Sequence, residues 1–197
     1  MSGRHPRDEL GRVLPHASWP ADRQAPGELE LVRRFCNSIN RENGAERFGT
    51  SAALDRWLAS EGQPPVHASR AGLLRVIALR ESLHHLVVAN ATGTDDPGAW
   101  DSLAAVAGEI SFRVTPSRDA VELQPTGTAV DVLIGRMFAA VLASHRDGSF
   151  ARLKACRNCH WVVFDPSKNR SSRWCSMTAC GGRHNAREYR RRTRSAG

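Results

Sequence analysis

Four of the five cysteines form two close pairs near the end of the chain. Two residues separate Cys156 from Cys159, four separate Cys175 from Cys180, and fifteen lie between the pairs. Each pair can hold two thiolates on one tight turn, and the span between them can close a tetrahedral cage. Because four thiolates leave no open position for water or substrate, the spacing predicts one structural Zn²⁺ ion, with iron as a weaker alternative.

Other roles for these residues are less well supported. The sequence contains no apolar run long enough to cross a membrane and no evident secretory signal, so we expect a cytoplasmic, nucleoid-associated protein in which disulfides are disfavoured. His160 could replace a cysteine as a ligand, but with four thiols present we expect it to lie beside the ligands or to be exposed. Cys36 lies on the apolar face of a predicted helix and is expected to be a buried, inert thiol.

The end of the chain is also strongly basic. Residues 151–197 include 12 basic and 2 acidic residues, whereas residues 1–150 include 16 and 18. At about 100° per residue, five arginines of a predicted C-terminal helix share about a third of its circumference. They are Arg183, Arg187, Arg190, Arg191 and Arg194. Arg192 points away from this side of the helix, and Ala186 and Tyr189 are expected to pack on the metal module.

Five like charges on one side of a helix repel one another unless an outside anion balances them. Phosphates supply that charge, and arginine can also bond guanine edges in a major groove that admits a helix. We therefore expect binding to DNA rather than RNA, with further cations from the segment between the cysteine pairs. The predicted DNA-contacting residues are Lys168, Arg170, Arg173, Arg183, Arg187, Arg190, Arg191 and Arg194.

Two other function classes stay open on these residues. The charge alone would also suit an RNA-binding or ribosome-associated zinc module. A treble-clef nuclease is less well supported, because it needs a histidine-rich catalytic metal site beside the finger. His160 and His184 are the only candidates near the cysteines for such a site.

The rest of the chain predicts a mainly α-helical protein with one small β-hairpin, so the fold class is α+β. We expect a disordered tail over residues 1–26, a helical domain over 27–150 and a zinc finger over 151–197. Helical periodicity marks segments that begin near residues 27, 51, 69, 97 and 128, and a period of two between 111 and 125 predicts the hairpin. In the finger, residues 161–164 are predicted to form a strand that turns at 165–169, within a small treble-clef-like unit.

Little in the helical domain indicates catalysis. No Ser, His and Asp set, no paired carboxylates and no glycine-rich phosphate loop stands out, so we do not expect an enzyme. Asn37 and Arg80 border apolar helix faces and could line a small-molecule pocket, although a buried hydrogen-bonding role is favoured. We assign the domain to ligand sensing or dimerisation. The partners considered are therefore DNA, a small-molecule effector and a second copy of the chain, with no membrane.

The cysteine segment resembles the CGNR zinc-finger family. That family's pattern is Cys-x2-Cys, an aromatic strand, an Asn-Arg-Ser turn, Trp-Cys-Ser-Met and a closing Cys-Gly-Asn-Arg. The matching residues here are Cys156, Cys159, Asn169, Arg170, Ser171, Trp174, Cys175, Ser176, Met177, Cys180, Gly181 and Arg183. Gly182 departs from the pattern, because the family has Asn at that position, a side chain that could cap the helix.

Two shorter matches resemble the ABATE domain that usually precedes this finger. Residues 35–38 read Phe-Cys-Asn-Ser, and residues 79–83 read Leu-Arg-Glu-Ser-Leu. The resemblance implies a stress-induced transcription regulator of bacteria. It also implies that a sensor or scaffold domain is joined to a zinc-bearing, DNA-binding finger.

Overall fold

Six α-helices and three two-stranded antiparallel sheets make up the described part of the chain. The computed structural model describes residues 23–119 and 121–195, so most of the predicted tail, residues 1–22, lies outside the described residues. The helices are α1 (Leu29–Cys36), α2 (Ser51–Ser60), α3 (Arg70–Thr92), α4 (Pro97–Ala107), α5 (Ala129–Arg146) and α6 (Gly182–Ser195). The strands are β1 (Ile39–Asn40), β2 (Ala45–Glu46), β3 (Ser111–Pro116), β4 (Val121–Thr126), β5 (Leu153–Ala155) and β6 (Val162–Phe164). The predicted α+β class is confirmed.

Side-chain caps explain why the helices begin where the sequence predicts. Thr50, Ser69 and Asp96 each accept a hydrogen bond from the backbone N–H three residues further on. Thr128 does the same at α5 and shares a reciprocal capping box with Asp131. Such caps satisfy N–H groups that have no partner in the first helical turn. The predicted β3–β4 hairpin is also present, with Phe112 opposite Pro125 in its register.

Helical spacing in the sequence would place Ile39, Leu74 and Trp100 on buried helix faces, but the structure does not place them there. α1 ends at Cys36, so Ile39 belongs to strand β1 rather than to the helix. Leu74 of α3 is 58% exposed and Trp100 of α4 is 40% exposed. α3 carries apolar residues around most of its circumference, and periodicity alone cannot tell which part of such a helix its neighbours cover.

One hydrophobic core extends from the helices into the β5–β6 hairpin. Leu153 and Val162 are completely buried and pack with the core residues of α1, α3 and α5. Asn37, at the end of α1, donates from Nδ2 to the Val162 carbonyl and accepts at Oδ1 from the Val162 N–H, both at 2.8 Å. Asn90 of α3 donates to the carbonyls of Phe150 and Leu153 at 3.0 and 3.2 Å. The first half of the predicted finger therefore packs directly on the helical region.

The pairing of β6 corrects a detail of the predicted finger. The sequence pattern places the turn of this strand at residues 165–169. In the structure, β6 instead pairs with the preceding strand, β5, in an antiparallel hairpin. Leu153 lies opposite Phe164, and Ala155 lies opposite Val162. The turn between the two strands carries Cys156 and Cys159, so the first cysteine pair is itself the hairpin turn.

The start of α6 is capped by a residue other than the one that the family pattern suggests. A π-helical turn, Met177–Gly181, runs directly into α6, and the Ser176 hydroxyl accepts from the Ala179 N–H at 3.3 Å. Gly182 therefore lies inside a continuous helix, with φ −60° and ψ −42°. A cap at position 182 is not needed there.

Replacing Gly182 with Ala should stabilise the zinc-loaded protein by about 0.5–1 kcal/mol, because glycine is a poor residue inside a helix. A Cβ atom at this position would come no closer than 3.6 Å to its nearest neighbour, the Met177 carbonyl oxygen. Thermal unfolding should show a rise of a few degrees in Tm. The adjacent Gly181→Ala variant is the matched control, and it should lower Tm because its Cβ would lie 3.1 Å from Cδ1 of Trp174, whose ring is packed on the cysteine cluster. Equal shifts in both variants would contradict this account.

Candidate functional site

The four cysteines of the two predicted pairs meet at one point. Every Sγ atom lies within 4.8 Å of the other three, and all four side chains are buried. The Sγ of Cys175 lies 3.6 Å from that of Cys159 and 3.5 Å from that of Cys180. A tetrahedral ion with metal–sulfur bonds of ~2.3 Å has sulfur–sulfur edges of ~3.8 Å. The cluster can therefore hold one zinc ion.

The ionisation of the cluster also fits a metal site, because four close thiols cannot all become thiolates without a cation. The hydrogen bond between the Cys159 and Cys156 thiols lowers the pKa of Cys156 and raises that of Cys159. The pKa of Cys180 is lowered to about 6. The Cys156 thiol acts to raise this pKa, but hydrogen bonds from the other two thiols and from the Arg183 guanidinium outweigh that effect.

Backbone hydrogen bonds fix the first cysteine pair on its turn. The Cys156 N–H donates to the Trp161 carbonyl, and the His160 N–H donates to the Cys156 carbonyl, both at 2.9 Å. His160 adopts φ +59° at this tight corner, and its side chain is exposed. Its position beside the ligands matches the expectation from the sequence.

A buried carboxylate holds the loop that leads to the second cysteine pair. Asp165 is completely buried. Its carboxylate accepts from the Ser167 N–H at 3.0 Å, and from the N–H and hydroxyl of Ser172 at 2.9 Å each. Hydrogen bonds from these two serines keep the pKa of Asp165 low against the opposing effect of burial. The loop therefore delivers Cys175 to the cluster in a fixed conformation.

Four of the five arginines predicted to share one side of α6 line a common cavity of about 300 Å³. They are Arg187, Arg190, Arg191 and Arg194, which we call the arginine face. Arg191 pairs with Glu188 at 2.9 Å. Arg187 donates to the Asn158 amide oxygen. Arg192, predicted to point away, is not among the residues that line the cavity.

The fifth arginine has a different environment. The Arg183 guanidinium lies 3.0 Å from Cys180 Sγ and 2.9 Å from the Glu42 carboxylate, so it turns towards the cluster. A DNA contact by Arg183 stays a prediction, and we leave this residue out of the arginine face.

The prediction that Ala186 and Tyr189 pack on the metal module is wrong. Both side chains are exposed, and Tyr189 is 72% accessible. The cluster is covered instead by Trp161, Val163 and Trp174. These residues come from the strand and the loop that carry the cysteines, so the module needs no cover from the outer turns of α6.

Three further predicted DNA contacts lie on the loop between β6 and Cys175. Lys168, Arg170 and Arg173 are all exposed there. The Arg170 guanidinium lies beside Gly148, in the connection that follows α5. None of the three lines the cavity of the arginine face, so their DNA-binding role stays a prediction.

The side chains of Asn37 and Arg80, the two candidates for a ligand pocket, form hydrogen bonds within the protein. Asn37 pairs with the backbone of β6, as described above. Arg80 donates from Nη1 and Nη2 to the two carboxylate oxygens of Glu46 at 2.7 and 2.6 Å, and from Nε to Glu81 at 2.9 Å. Both side chains are buried. In this structure, Asn37 and Arg80 therefore have the buried hydrogen-bonding role that the sequence favours.

Sequence reasoning missed several side chains that tie the finger to the helical region. His84 of α3 forms a hydrogen bond with the His160 carbonyl at 3.0 Å, and burial lowers the pKa of His84 to about 4. Arg33 of α1 donates to the Val162 carbonyl at 3.2 Å. Each contact joins a side chain to a distant backbone group, and no local spacing in the sequence marks such a pair. Cys36, in contrast, is buried as predicted, and burial raises its pKa to about 12.

The nuclease alternative calls for a histidine-rich metal site beside the finger. Within residues 23–119 and 121–195, the four cysteines form the only group of three or more side chains placed to bind a metal ion. His184 packs against Trp174, with ring centroids 4.8 Å apart.

In the part of the chain that the structure describes, no helix combines the length and the apolar character that crossing a membrane requires.

Comparison with known families agrees with both parts of the structure. The CGNR zinc finger model matches residues 152–193. The ABATE model, described as "Putative stress-induced transcription regulator", matches residues 29–145. Neither description is that of an enzyme, and no curated protein matches the chain significantly. Because the second match covers more than half of the chain, the protein belongs to the ABATE family, and it carries a CGNR zinc finger after the ABATE domain.

Proposed function

We propose that the protein is a zinc-dependent transcription regulator that binds DNA through the arginine face, with the helical domain as its regulatory part. The arginine face is the observation that carries this proposal. Four guanidinium groups line one cavity on an exposed helix. Arg190 and Arg194 form no ion pair with any residue in the part of the chain that the structure describes.

Zinc supports this function by fixing the direction of the helix. Cys180 lies in the π-helical turn that continues into α6. A metal ion on Cys180 therefore holds the first turn of the helix against the β5–β6 hairpin. The outer turns then project with their arginines towards solvent, where the phosphates of a duplex can approach. A helix of this kind also fits the major groove, in which arginine reads guanine.

Sequence selection tests the proposal directly. The zinc-loaded protein should enrich a common motif from fragmented genomic DNA. It should also bind that DNA with an affinity that falls steeply as salt is added, because bound phosphates release counterions. Preference for structured RNA over duplex DNA would contradict the proposal and favour an RNA-binding zinc module.

Replacing both Arg190 and Arg194 with Ala should locate the interface. The slope of log K against log salt should fall by about 0.9 for each lost phosphate contact. Arg192→Ala is the matched control, since this residue lies on the same exposed helix outside the cavity, and it should change the slope much less. An unchanged slope in the double variant would place the DNA interface on another surface.

A further inference from the structure

Arg183 differs from the exposed arginines of α6 in what it touches. Its Nη2 lies 3.0 Å from Cys180 Sγ, and its Nη1 lies 2.9 Å from Oε1 of Glu42, between strands β1 and β2. Its side chain is 28% exposed, whereas that of Arg191 is 75% exposed. Arg183 therefore connects the metal centre with the helical domain.

A cationic donor at this place has a direct effect on a four-thiolate site. Four thiolates outweigh the two charges of a zinc ion, so the loaded centre is an anion. A guanidinium beside Cys180 offsets part of that charge and restrains the sulfur through an N–H···S contact. Asn158 places a second N–H donor 3.6 Å from the same sulfur. Cys180 thus has both a positively charged side chain and an amide donor beside its sulfur.

The Glu42 contact adds a mechanical role. Glu42 belongs to the helical domain, while Arg183 lies in the first turn of α6. One guanidinium thus binds the carboxylate and the thiol at the same time. Such an arrangement restrains the start of α6, and with it the preceding turn that carries Cys180, against the turn between β1 and β2.

We propose that Arg183 is a positioning residue of the zinc centre, which stabilises Cys180 as a ligand and, through Glu42, ties the start of α6 to the helical domain. This role goes beyond the proposed DNA binding and does not depend on it. It replaces the DNA contact that the helical pattern predicts for Arg183. Arg183 becomes a residue that controls how tightly the finger holds its metal.

Zinc affinity of the full-length protein tests this role in competition with a chelator. Loss of such a supporting contact typically weakens metal binding 10–100-fold, and Arg183→Gln should show a loss in this range. Arg183→Lys keeps the charge but cannot form the same two-pronged contact, so it should recover part of the affinity. Arg192→Gln removes a charge from the same helix, outside both this contact and the arginine face, and should bind zinc as the wild type does.

Two further measurements keep the test decisive. In Co²⁺-loaded protein, Arg183→Gln should shift the sulfur-to-metal charge-transfer band, because one thiolate loses its donor. Glu42→Gln leaves every residue of the finger in place and should weaken zinc binding by a smaller factor, so the idea can be judged even if Arg183→Gln folds poorly. Wild-type zinc affinity and an unchanged band in Arg183→Gln would overturn the proposal.

The salt dependence of DNA binding separates the two roles of Arg183. With saturating zinc, Arg183→Gln should leave the salt slope unchanged. A slope reduced by about 0.9 together with unchanged zinc affinity would make Arg183 a phosphate contact and overturn the positioning role. If the protein binds no DNA, the proposed function fails, while the zinc and Co²⁺ measurements still decide the role of Arg183.

Discussion

Cys175→Ser should remove the zinc ion and unfold residues 165–195, including α6, while α1–α5 and the β5–β6 hairpin stay folded. A structural zinc ion contributes about 10–16 kcal/mol to the folding of zinc-finger peptides at pH 7. The metal module has only a small core, formed by the cysteines with Trp161, Val163 and Trp174. That core is too small to replace the ion. The hairpin has independent support, because Asn37 and Asn90 hold its backbone from the helical side.

Zinc content and hydrogen exchange measure this outcome. The variant should contain no tightly held zinc, and fast amide exchange should be confined to residues 165–195. Cys36→Ala is the matched control, because Cys36 is a buried cysteine that does not belong to the cluster, and it should keep one zinc ion per chain. A full complement of zinc in Cys175→Ser would contradict the ligand assignment. Loss of protection across α1–α5 would show that the finger supports the whole fold.

Arg80→Met should destabilise the helical domain by about 3 kcal/mol. Removing one partner of a buried ion pair typically costs about 3–5 kcal/mol, because the other charge is left without its partner. The Arg80 side chain is 2% exposed, whereas those of Glu46 and Glu81 are 29% and 34% exposed. Water can partly solvate the two carboxylates, so we expect the lower end of that range. Urea denaturation of the zinc-loaded protein measures the change.

Arg75→Met supplies a matched control on the same helix. Arg75 also contacts two carboxylates, those of Glu109 and Asp131, both at 2.8 Å, but its side chain is 28% exposed. Exposed pairs contribute up to about 1 kcal/mol, so this variant should lose much less stability than Arg80→Met. Equal losses of stability in the two variants would show that burial of Arg80 does not increase the contribution of its ion pairs.

Acid should reduce the difference between the wild type and Arg80→Met. Although burial acts to raise it, the pKa of Glu46 is lowered, first by the hydrogen bond from Arg80. A carboxyl with a lowered pKa in the folded state stabilises the protein above its unfolded pKa, about 4.5 here, and loses that effect as the pH falls through the folded pKa. The stability difference should therefore be complete near pH 7 and shrink below about pH 4.5. A difference that does not change with pH would contradict the role of the ion pair.

Local sequence patterns predict most of the fold, but they do not predict the contacts between residues that are far apart in the sequence. The caps at Thr50, Ser69, Asp96 and Thr128 place four helix starts, because each depends on residues within one turn. The pairing of β6 with β5 and the insertion of Asn37 beside Val162 could not be found in this way. These contacts depend on groups that are far apart in the sequence, and an asparagine at the end of a helix carries no sign of a partner 125 residues away.

The same distinction applies to the candidate site, where local spacing predicts some features and long-range contacts determine the others. The spacing of four cysteines predicts the metal cluster because a tetrahedral ion dictates which short loops can hold it. The 100° rule places four arginines together, because helical geometry alone determines that arrangement. The same rule predicts which side of the helix carries Arg183 and Tyr189, but it does not predict what their side chains contact. Arg183 meets a thiol and a carboxylate, while Tyr189 meets solvent.

The contact between Asn37 and Val162 gives the two cysteine pairs unequal support. Cys156 and Cys159 lie on a turn whose strands pack on the helices, so this half of the site is preorganised by the helical domain. Cys175 and Cys180 belong to a module with only a small core of its own. We therefore expect loss of the metal to leave the first pair in place and to release the second.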